Sequence, residues 1–296
     1  MRTVYLGTSE FAAAILRRLA ETDHRPALVV TRPDAPKGRG RKLAPPPVKV
    51  VAEELEIEVF QPERVNEEEA VARIASASPD ALILCAFGAL IKEPLLSRFG
   101  PILNVHPSLL PRWRGAAPVE RAMMAGDDET GVAIMALTAG LDDGPVAVCG
   151  REVIRPDDTY GTLTERLQVL GAELLLSVLD EGPEFSEQPS EGVTYAEKIV
   201  AEDRTLDPAT RTAAELERVV RALTPHIGAR IALPDGTLLG VRDAVCRLDG
   251  PASGEWSGEG GHLVVGTPDG ALELREVQPP GKKPMAAADF LRGRPL

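Results

Sequence analysis

The first half of the chain alternates short apolar runs with segments of helical periodicity, and this alternation limits the folds open to it. The apolar runs have strand length and lie at Thr3–Leu6, Ala27–Thr31, Glu58–Phe60, Ala81–Ala86, Ile102–Val105 and Gly131–Leu137. The helical segments lie between them at Phe11–Ala20, Val48–Glu56, Glu67–Ser76 and Pro118–Ala125. This order is typical of βαβ units, so it predicts an α/β fold with a doubly wound, mostly parallel sheet. Such sheets bind ligands beyond the carboxyl ends of their strands.

The second half of the chain changes character. A long helix is predicted at Thr159–Leu179 and an amphipathic one at Ala213–Leu223, and Glu181–Gly192 between them has the composition of a linker. Short strand-like runs separated by Gly and Pro turns then predict a small β-barrel or meander: Arg230–Leu233, Leu238–Val245, His262–Val265 and Ala271–Val277. The predicted parts are a catalytic domain at 1–182, a linker at 183–203 and a smaller domain at 204–296.

Composition narrows the class of protein. The longest uncharged stretches, Ala81–Ile91 and Thr130–Leu141, are shorter than the roughly 20 apolar residues that cross a bilayer, so no membrane partner is predicted. The chain runs from Met1 straight into a strand-like segment with no secretory leader, which predicts a cytoplasmic location. The widely spaced cysteines form no CxxC pair and indicate neither a zinc site nor a disulfide framework: Cys85, Cys149 and Cys246.

Charge is distributed unevenly along the chain. The net charge of −12 arises from residues 1–203, because residues 204–296 carry 12 basic and 12 acidic side chains. Within the acidic part, segment 32–49 holds a single acid, Asp34, among six basic residues: Arg32, Lys37, Arg39, Arg41, Lys42 and Lys49. Such a segment permits local contact with phosphate, and it is equally typical of a solvated surface loop.

The densest motif begins at the end of the fifth predicted strand and runs from Asn104 to Pro118. Asn104 and His106 alternate along that strand end and therefore share a face, where an amide donor and a group that titrates near neutral pH lie together. Downstream, Gly140–Gly144 places two carboxylates in a turn flanked by glycines. Taken alone, a histidine at a strand end is more often structural and Asp-Asp-Gly is more often an ordinary turn, so these parts leave catalysis open.

Together the motifs resemble the signature of the folate-dependent formyltransferases, which act on glycinamide ribonucleotide, sugar nucleotides and methionyl-tRNA. The resemblance rests on NVHPSLLP at 104–111, Arg114-Gly115, and Asp142 in Gly-Leu-Asp. The basic segment RPDAPKGRGRKL at 32–43, YAEKI at 195–199 and GKKPM at 281–285 are similar to the methionyl-tRNA branch. The resemblance therefore covers almost the whole chain.

The resemblance implies a role for each motif. Asn104, His106 and Asp142 become the catalytic residues, and 10-formyltetrahydrofolate becomes the formyl donor. The folate site would be lined by Ser108, Leu109, Leu110 and Pro111, with Phe87 and Gly88 bordering the pterin. Initiator methionyl-tRNA would be contacted by Arg39 with help from Lys37, Arg41 and Lys42, and by an OB-like C-terminal domain.

These residue types suit formyl transfer to an amine. Attack on the formyl carbon creates an oxyanion, for which Asn104 and protonated His106 are the expected donors. Asp142 is expected to accept the amine proton, directly or through water, and to fix the tautomer of His106. No metal is expected, because the leaving folate nitrogen is already activated, and we expect the enzyme to be a monomer.

Two alternatives remain. A sugar-nucleotide N-formyltransferase would share the catalytic motif, although the basic segment and GKKPM would then be unexplained. A silent folate- or RNA-binding module would have no need for Asn104, His106 and Asp142 together. One stretch departs from the family pattern: RALTPHIGAR at 221–230 carries His226 and Arg230 where many members have tryptophans after the first proline, which places the details of tRNA contact in doubt.

Overall fold

A computed structural model describes residues 1–37 and 42–294. The chain forms two compact units, each assembled from more than one stretch of sequence. The first comprises Met1–Gly115, Thr130–Glu152 and Thr164–Tyr195, and the second comprises Ala116–Glu129, Val153–Leu163 and Ala196–Leu296. The predicted limits at 182 and 203 stay a prediction.

Strands and helices lie close to the predicted positions. The strands are β1 Thr3–Gly7, β2 Pro26–Val30, β3 Ala35–Lys37, β4 Lys42–Ala44, β5 Val59–Phe60, β6 Ala81–Cys85, β7 Ile102–His106, β8 Arg114–Gly115, β9 Glu129–Ala136, β10 Val146–Val153, β11 Tyr195–Ala196, β12 Thr205–Leu206, β13 Ala229–Ala232, β14 Leu238–Arg247, β15 Trp256–Ser257, β16 Leu263–Thr267, β17 Gly270–Gln278 and β18 Met285–Ala286. The helices are α1 Glu10–Ala20, α2 Pro47–Glu54, α3 Glu68–Ser76, α4 Leu95–Arg98, α5 Pro118–Ala125, α6 Tyr160–Glu181, α7 Ala213–Leu223 and α8 Ala287–Gly293, with one 3₁₀ turn at Glu259–Gly261. No helix within the described ranges has the length and apolarity to cross a membrane.

The first unit is built on a seven-stranded sheet in the order β10-β9-β7-β6-β1-β2-β5. Strand β1 runs parallel to β2 and β6, β2 runs parallel to β5, and β6 runs parallel to β7. Strand β9 is antiparallel to β7. The predicted α/β class with a mostly parallel sheet is therefore confirmed, and β7 lies inside the sheet between β6 and β9.

The packing of this sheet explains why its strands are nearly continuous apolar runs. All five residues of β1 and of β7 are buried, as expected for strands covered on both faces. One apolar cluster contains Val4, Leu28 and Leu82 from three adjacent strands and Ile74 from α3. Helix α1 begins after Ser9, whose hydroxyl accepts a hydrogen bond from the Ala12 N–H and so satisfies a free donor of the first turn.

The second unit has its own core. Its sheet runs β12-β13-β14-β17-β16-β15, with β18 paired to β17. Among the described residues no pairing joins β12 to β15, so the predicted barrel is a curled half-barrel. Helix α7 begins with a capping box between Thr212 and Glu215, and it packs Leu216 and Val220 into the cluster that the sheet encloses.

Several elements were not predicted from the sequence, among them β10, α8 and the hairpin β3–β4. Strand β10 contains Gly150 and charged residues and is only partly buried along its length, so its apolar pattern is weak. Helix α8 has seven residues, too few to show a helical period. The flanks of the basic segment pair as the hairpin β3–β4, in which Lys37 lies opposite Lys42.

Candidate active site

Strand β7 carries the first two predicted catalytic residues to the carboxyl end of the sheet. Asn104 lies opposite Leu84 of β6 and Met135 of β9, and His106 lies opposite Ala133. Since side chains alternate along a strand, Asn104 and His106 project from the same face. Both are buried, with 6% and 5% of their surface exposed.

The turn after β9 presents Asp142 in a strained conformation. Its φ of +47° is one that residues other than glycine rarely adopt. Gly144 is required here, because a Cβ on it would lie 2.0 Å from the Ala136 carbonyl oxygen, whereas a Cβ on Gly140 would meet the exposed Asp143 carboxylate, which can move. Asp143 accepts a 2.5 Å hydrogen bond from the Thr138 hydroxyl, so the two carboxylates of the turn have different partners.

The structure brings Asn104, His106 and Asp142 together. Asn104 Nδ2 donates to Asp142 Oδ1 at 3.3 Å, and His106 Nδ1 lies 3.7 Å from Asp142 Oδ2. A carboxylate can only accept hydrogen bonds, so the contact fixes which end of the Asn104 amide faces it. One hydrogen of that Nδ2 then remains for another acceptor.

The tautomer of His106 is set by a main-chain carbonyl. His106 Nε2 lies 2.9 Å from the carbonyl oxygen of Trp113, and because a carbonyl only accepts, Nε2 carries a proton. The expectation that Asp142 fixes this tautomer is wrong, since the 3.7 Å to Nδ1 exceeds a hydrogen bond. Trp113 has a φ of +62°, a second strained residue beside the site. His106 therefore turns Nδ1 toward Asp142.

The next residues of the same segment hold Asp142. The Gly115 N–H donates to Asp142 Oδ2 at 2.8 Å, so each carboxylate oxygen accepts one hydrogen bond. The segment is tied in turn to Thr194, whose hydroxyl accepts from the Trp113 N–H and whose carbonyl accepts from the Arg114 N–H, each at 2.9 Å.

Gln188 is a site residue that the sequence did not reveal. Its Nε2 donates to the carbonyl oxygens of Asp142 and Gly144 at 2.9 and 2.8 Å. Its Oε1 accepts from Arg114 Nε and Nη2 at 3.0 and 2.7 Å. Gln188 lies in the stretch whose composition predicts a linker, and a lone glutamine there carries no signal of its partners.

The predicted folate residues differ in exposure. Ser108 is fully buried, and its hydroxyl has no hydrogen-bond partner among the described residues. Leu109, Leu110 and Pro111 are half-buried. Phe87 is buried and packs into the apolar cluster of the first unit, and Gly88 is exposed with a φ of +80°. Contact of these residues with folate stays a prediction.

The predicted tRNA contacts are described only in part. Lys42 is exposed on β4, Lys37 lies on β3, and Arg39 and Arg41 lie outside the described residues. Asp34, the acid of this segment, is held by Gln61 and Lys49, and these hydrogen bonds lower the pKa of its carboxyl.

Other candidate chemistry finds no support in the described part of the chain. No group of three or more His, Cys, Asp or Glu side chains there is placed to hold a metal ion. Burial raises the pKa of the Cys85 thiol to about 12, which leaves it protonated and a poor nucleophile near neutral pH.

The unusual stretch at 221–230 forms a contact within the second unit. The ring of His226 stacks on Tyr160, with ring centres 3.7 Å apart, and its Nε2 lies 3.0 Å from Glu120 Oε1. Arg230 Nε donates to the Thr205 hydroxyl at 3.0 Å. Both side chains that depart from the family pattern thus have partners inside this unit.

Comparisons with known proteins identify the family of the chain. A family model described as "Formyl transferase" matches residues 1–179, and one described as "Formyl transferase, C-terminal domain" matches residues 198–295. The chain is 44% identical to the methionyl-tRNA formyltransferase of Halorhodospira halophila, with 100% of this chain and 97% of that protein covered. It is 42% identical to the enzyme of the same name from Dechloromonas aromatica, with the same coverage.

Solved structures share the fold at low sequence identity. The methionyl-tRNA formyltransferase of Clostridium thermocellum superposes with a TM-score of 0.61 at 14% identity, over 83% of this chain and 94% of that one. An N-formyltransferase from Helicobacter canadensis, solved with folinic acid and dTDP-3-aminofucose, superposes with a TM-score of 0.68 at 14% identity. The match covers 93% of this chain and 98% of that one. HypX from Aquifex aeolicus, solved in complex with tetrahydrofolic acid, superposes with a TM-score of 0.62 at 20% identity. The match covers 98% of this chain and 47% of HypX. Because one family model covers more than half of the chain and relatives 42 to 44% identical match its whole length, the chain belongs to the formyl transferase family.

Proposed function

We propose that the protein transfers the formyl group of 10-formyltetrahydrofolate to the α-amino group of initiator methionyl-tRNA. The observation that carries the proposal is the meeting of Asn104, His106 and Asp142 at the carboxyl end of β7, in a chain whose relatives are named methionyl-tRNA formyltransferases. An amide donor, an imidazole and a carboxylate around one point are the groups that acyl transfer to an amine requires.

The reaction begins with attack of the amine on the formyl carbon. A carbon–nitrogen bond forms and the formyl oxygen becomes an oxyanion. The free hydrogen on Asn104 Nδ2 donates to this oxygen, and so does His106 Nδ1 in the protonated ring, because Nε2 is already engaged with Trp113. Removing one such donor typically lowers the rate by about 10²–10³-fold.

The proton of the attacking amine must then be moved. Asp142 accepts it, directly or through water, while the Gly115 N–H holds the carboxylate in place. When the bond from carbon to the folate nitrogen breaks, that nitrogen takes up the proton. The products are formylmethionyl-tRNA and tetrahydrofolate, and the protein returns to its starting protonation.

The donor and the tRNA occupy neighbouring surfaces in this proposal. Half-buried Leu109, Leu110 and Pro111 lie shortly after His106 in the same segment and supply an apolar border for the folate ring. The basic segment 32–49, with Arg39 as the main contact, meets the phosphates of the tRNA, and the C-terminal region adds further contacts. One chain supplies all three catalytic groups, so the reaction needs no second subunit, and we propose a monomer that acts in the cytoplasm.

Substrate choice tests the proposal. Purified protein is given 10-formyltetrahydrofolate with either methionyl initiator tRNA or an amino-sugar nucleotide, and the formylated product is measured. Formylation of the tRNA alone is expected. Formylation of the sugar nucleotide alone would replace the proposal by the sugar-nucleotide alternative, and no turnover with either would leave only the fold.

A further inference from the structure

We propose that Gln188 is a positioning residue, which holds the main chain of Asp142 so that its carboxylate faces Asn104 and His106. The proposal rests on the function proposed above. Within the described part of the chain, the Gln188 side chain forms no hydrogen bond to the three catalytic side chains; its amide nitrogen donates to the carbonyl oxygen of Asp142 at 2.9 Å. We therefore assign it an action through Asp142.

The Gln188 amide has every hydrogen-bonding position filled. Its two hydrogens have two carbonyl acceptors, on Asp142 and Gly144, and its oxygen has two donors on the Arg114 guanidinium. Rotating the amide by half a turn would place its oxygen against two carbonyl oxygens and its nitrogen against two guanidinium N–H groups. The amide therefore has one favourable orientation, and it holds both main-chain positions with it.

Asp142 needs such a support more than an ordinary residue does. Its left-handed φ of +47° is unfavourable for a residue with a Cβ, so contacts outside the turn must maintain it. The bonds from Gln188 fall on Asp142 and Gly144, on either side of the exposed Asp143.

The same amide connects the Asp142 turn to the segment that orients His106. Arg114, which donates to Gln188, lies between Trp113 and Gly115. Trp113 accepts from His106 Nε2, and Gly115 donates to Asp142 Oδ2. Gln188 thus links the two main-chain segments that set the positions of the imidazole and the carboxylate.

Two substitutions separate the donor function from packing. Gln188→Ala removes all four hydrogen bonds. Gln188→Glu keeps the size of the side chain and its attraction to Arg114. It replaces the donor nitrogen by an oxygen, which then faces the carbonyl oxygens of Asp142 and Gly144 without a hydrogen to donate. We expect both to lower kcat about 10- to 100-fold, with KM for folate and tRNA changed less than about twofold, because a small displacement of a catalytic group is costly.

Gln278 supplies a matched control in the second unit. Its Oε1 accepts from Arg242 Nε and Nη2 at 3.2 and 2.7 Å, and its Nε2 donates to the Lys282 carbonyl at 3.0 Å. Gln278→Ala therefore removes a similar set of bonds from an equally half-buried glutamine. We expect a similar fall in Tm for Gln188→Ala and Gln278→Ala, and loss of kcat only for the former.

A double-mutant comparison tests whether Gln188 acts through Asp142. Single-turnover rates are measured for Asp142→Ala with and without Gln188→Ala. If the action passes through Asp142, the second substitution should change the residual rate less than about twofold. A further loss as large as that in the wild-type background would overturn the proposal, and so would a Gln188→Glu variant with wild-type kcat.

Amide hydrogen exchange at Gly115, measured by NMR, needs no substrate. Exchange of this N–H should become faster in Gln188→Ala and in Gln188→Glu, because the Asp142 carboxylate that accepts from it is no longer held. Unchanged exchange in both would refute the positioning role. Faster exchange in a protein that does not formylate methionyl-tRNA would mean that the proposed function fails while the positioning role stands.

Discussion

The substitution Asp142→Asn tests the mechanism most sharply, because it keeps the size of the side chain and removes its charge. Each oxygen of the carboxylate accepts one hydrogen bond, from Asn104 Nδ2 at 3.3 Å and from the Gly115 N–H at 2.8 Å. An amide has one oxygen and one donor nitrogen in place of those two oxygens. One of the two existing donors therefore meets another donor.

The size of the loss in kcat depends on which of the two hydrogen bonds the new amide keeps. If it keeps the shorter bond to Gly115, its nitrogen faces Asn104, and Asn104 either leaves a bond unmade, at a cost of about 1–3 kcal/mol, or rotates its amide. Rotation withdraws the Nδ2 hydrogen that the oxyanion needs. Loss of the base alone is worth about 10²–10⁴-fold in rate, so we expect kcat to fall at least about 10²-fold.

Single-turnover formylation of methionyl-tRNA at saturating folate measures this effect without interference from product release. Asp143→Asn is the control, because the neighbouring carboxylate is exposed and pairs with the Thr138 hydroxyl. We expect near-normal turnover for that variant. If Asp142→Asn keeps more than about a tenth of the wild-type rate, the carboxylate is not the proton acceptor, since that role is worth at least ~10²-fold.

Three further predictions concern stability, thiol chemistry and tRNA contact. The hydrogen bonds from Arg121 lower the pKa of Asp203 below its ordinary value near 3.8. The pair therefore stabilises the fold above that value, and this stabilisation is lost as pH falls through the lowered pKa. In chemical denaturation, Asp203→Asn should be less stable than the wild type by about 1 kcal/mol at pH 7, and the difference should vanish in acid. Cys85 is fully buried and its pKa is about 12, so iodoacetamide at pH 8 should modify it only after unfolding, and peptide masses showing rapid modification of the folded protein would contradict this. Arg39→Ala should weaken tRNA binding and reduce the slope of the log binding constant against log salt concentration by about 0.7, with folate affinity unchanged. An equal loss of folate binding would mean that the segment supports the folate pocket or the fold.

The sequence predicts the elements best where burial imposes a strong period. Helices Pro118–Ala125 and Ala213–Leu223 have the predicted bounds, and the buried strands of the first sheet begin and end within two residues of their predictions. Strand β10 was missed because it is only partly buried and Gly150 interrupts its pattern. The turn signals predicted a small β-barrel or meander, and the sheet of the second unit is a curled half-barrel, because turn signals indicate strands and not whether the last strand pairs with the first.

The candidate site likewise contains one part that the sequence predicts and one part that it does not. Asn104 and His106 could be predicted to share a face because strand geometry alone determines it, whereas the approach of Asp142 depends on a turn with φ of +47°. That turn is held through main-chain groups, because the Gly115 N–H donates to the Asp142 carboxylate and Gln188 donates to the Asp142 carbonyl. The Trp113 carbonyl orients His106 in the same way.

Because these contacts are made by main-chain groups, the residues that hold the site cannot be recognised from their residue types. Every residue has a carbonyl, and every residue except proline has an N–H, so the identity of Trp113 or Gly115 does not reveal which proton or carboxylate its main chain will meet. Gln188 escapes for a related reason, since its two ends become donor and acceptor only once Arg114 and the Asp142 turn are folded against it. If the positioning proposal is right, substitutions in 186–194, a stretch with the composition of a linker, should affect turnover more than their surface location suggests. The effect should follow the hydrogen bonds to the Asp142 turn and to segment 113–115, and not the apolar area that each side chain buries.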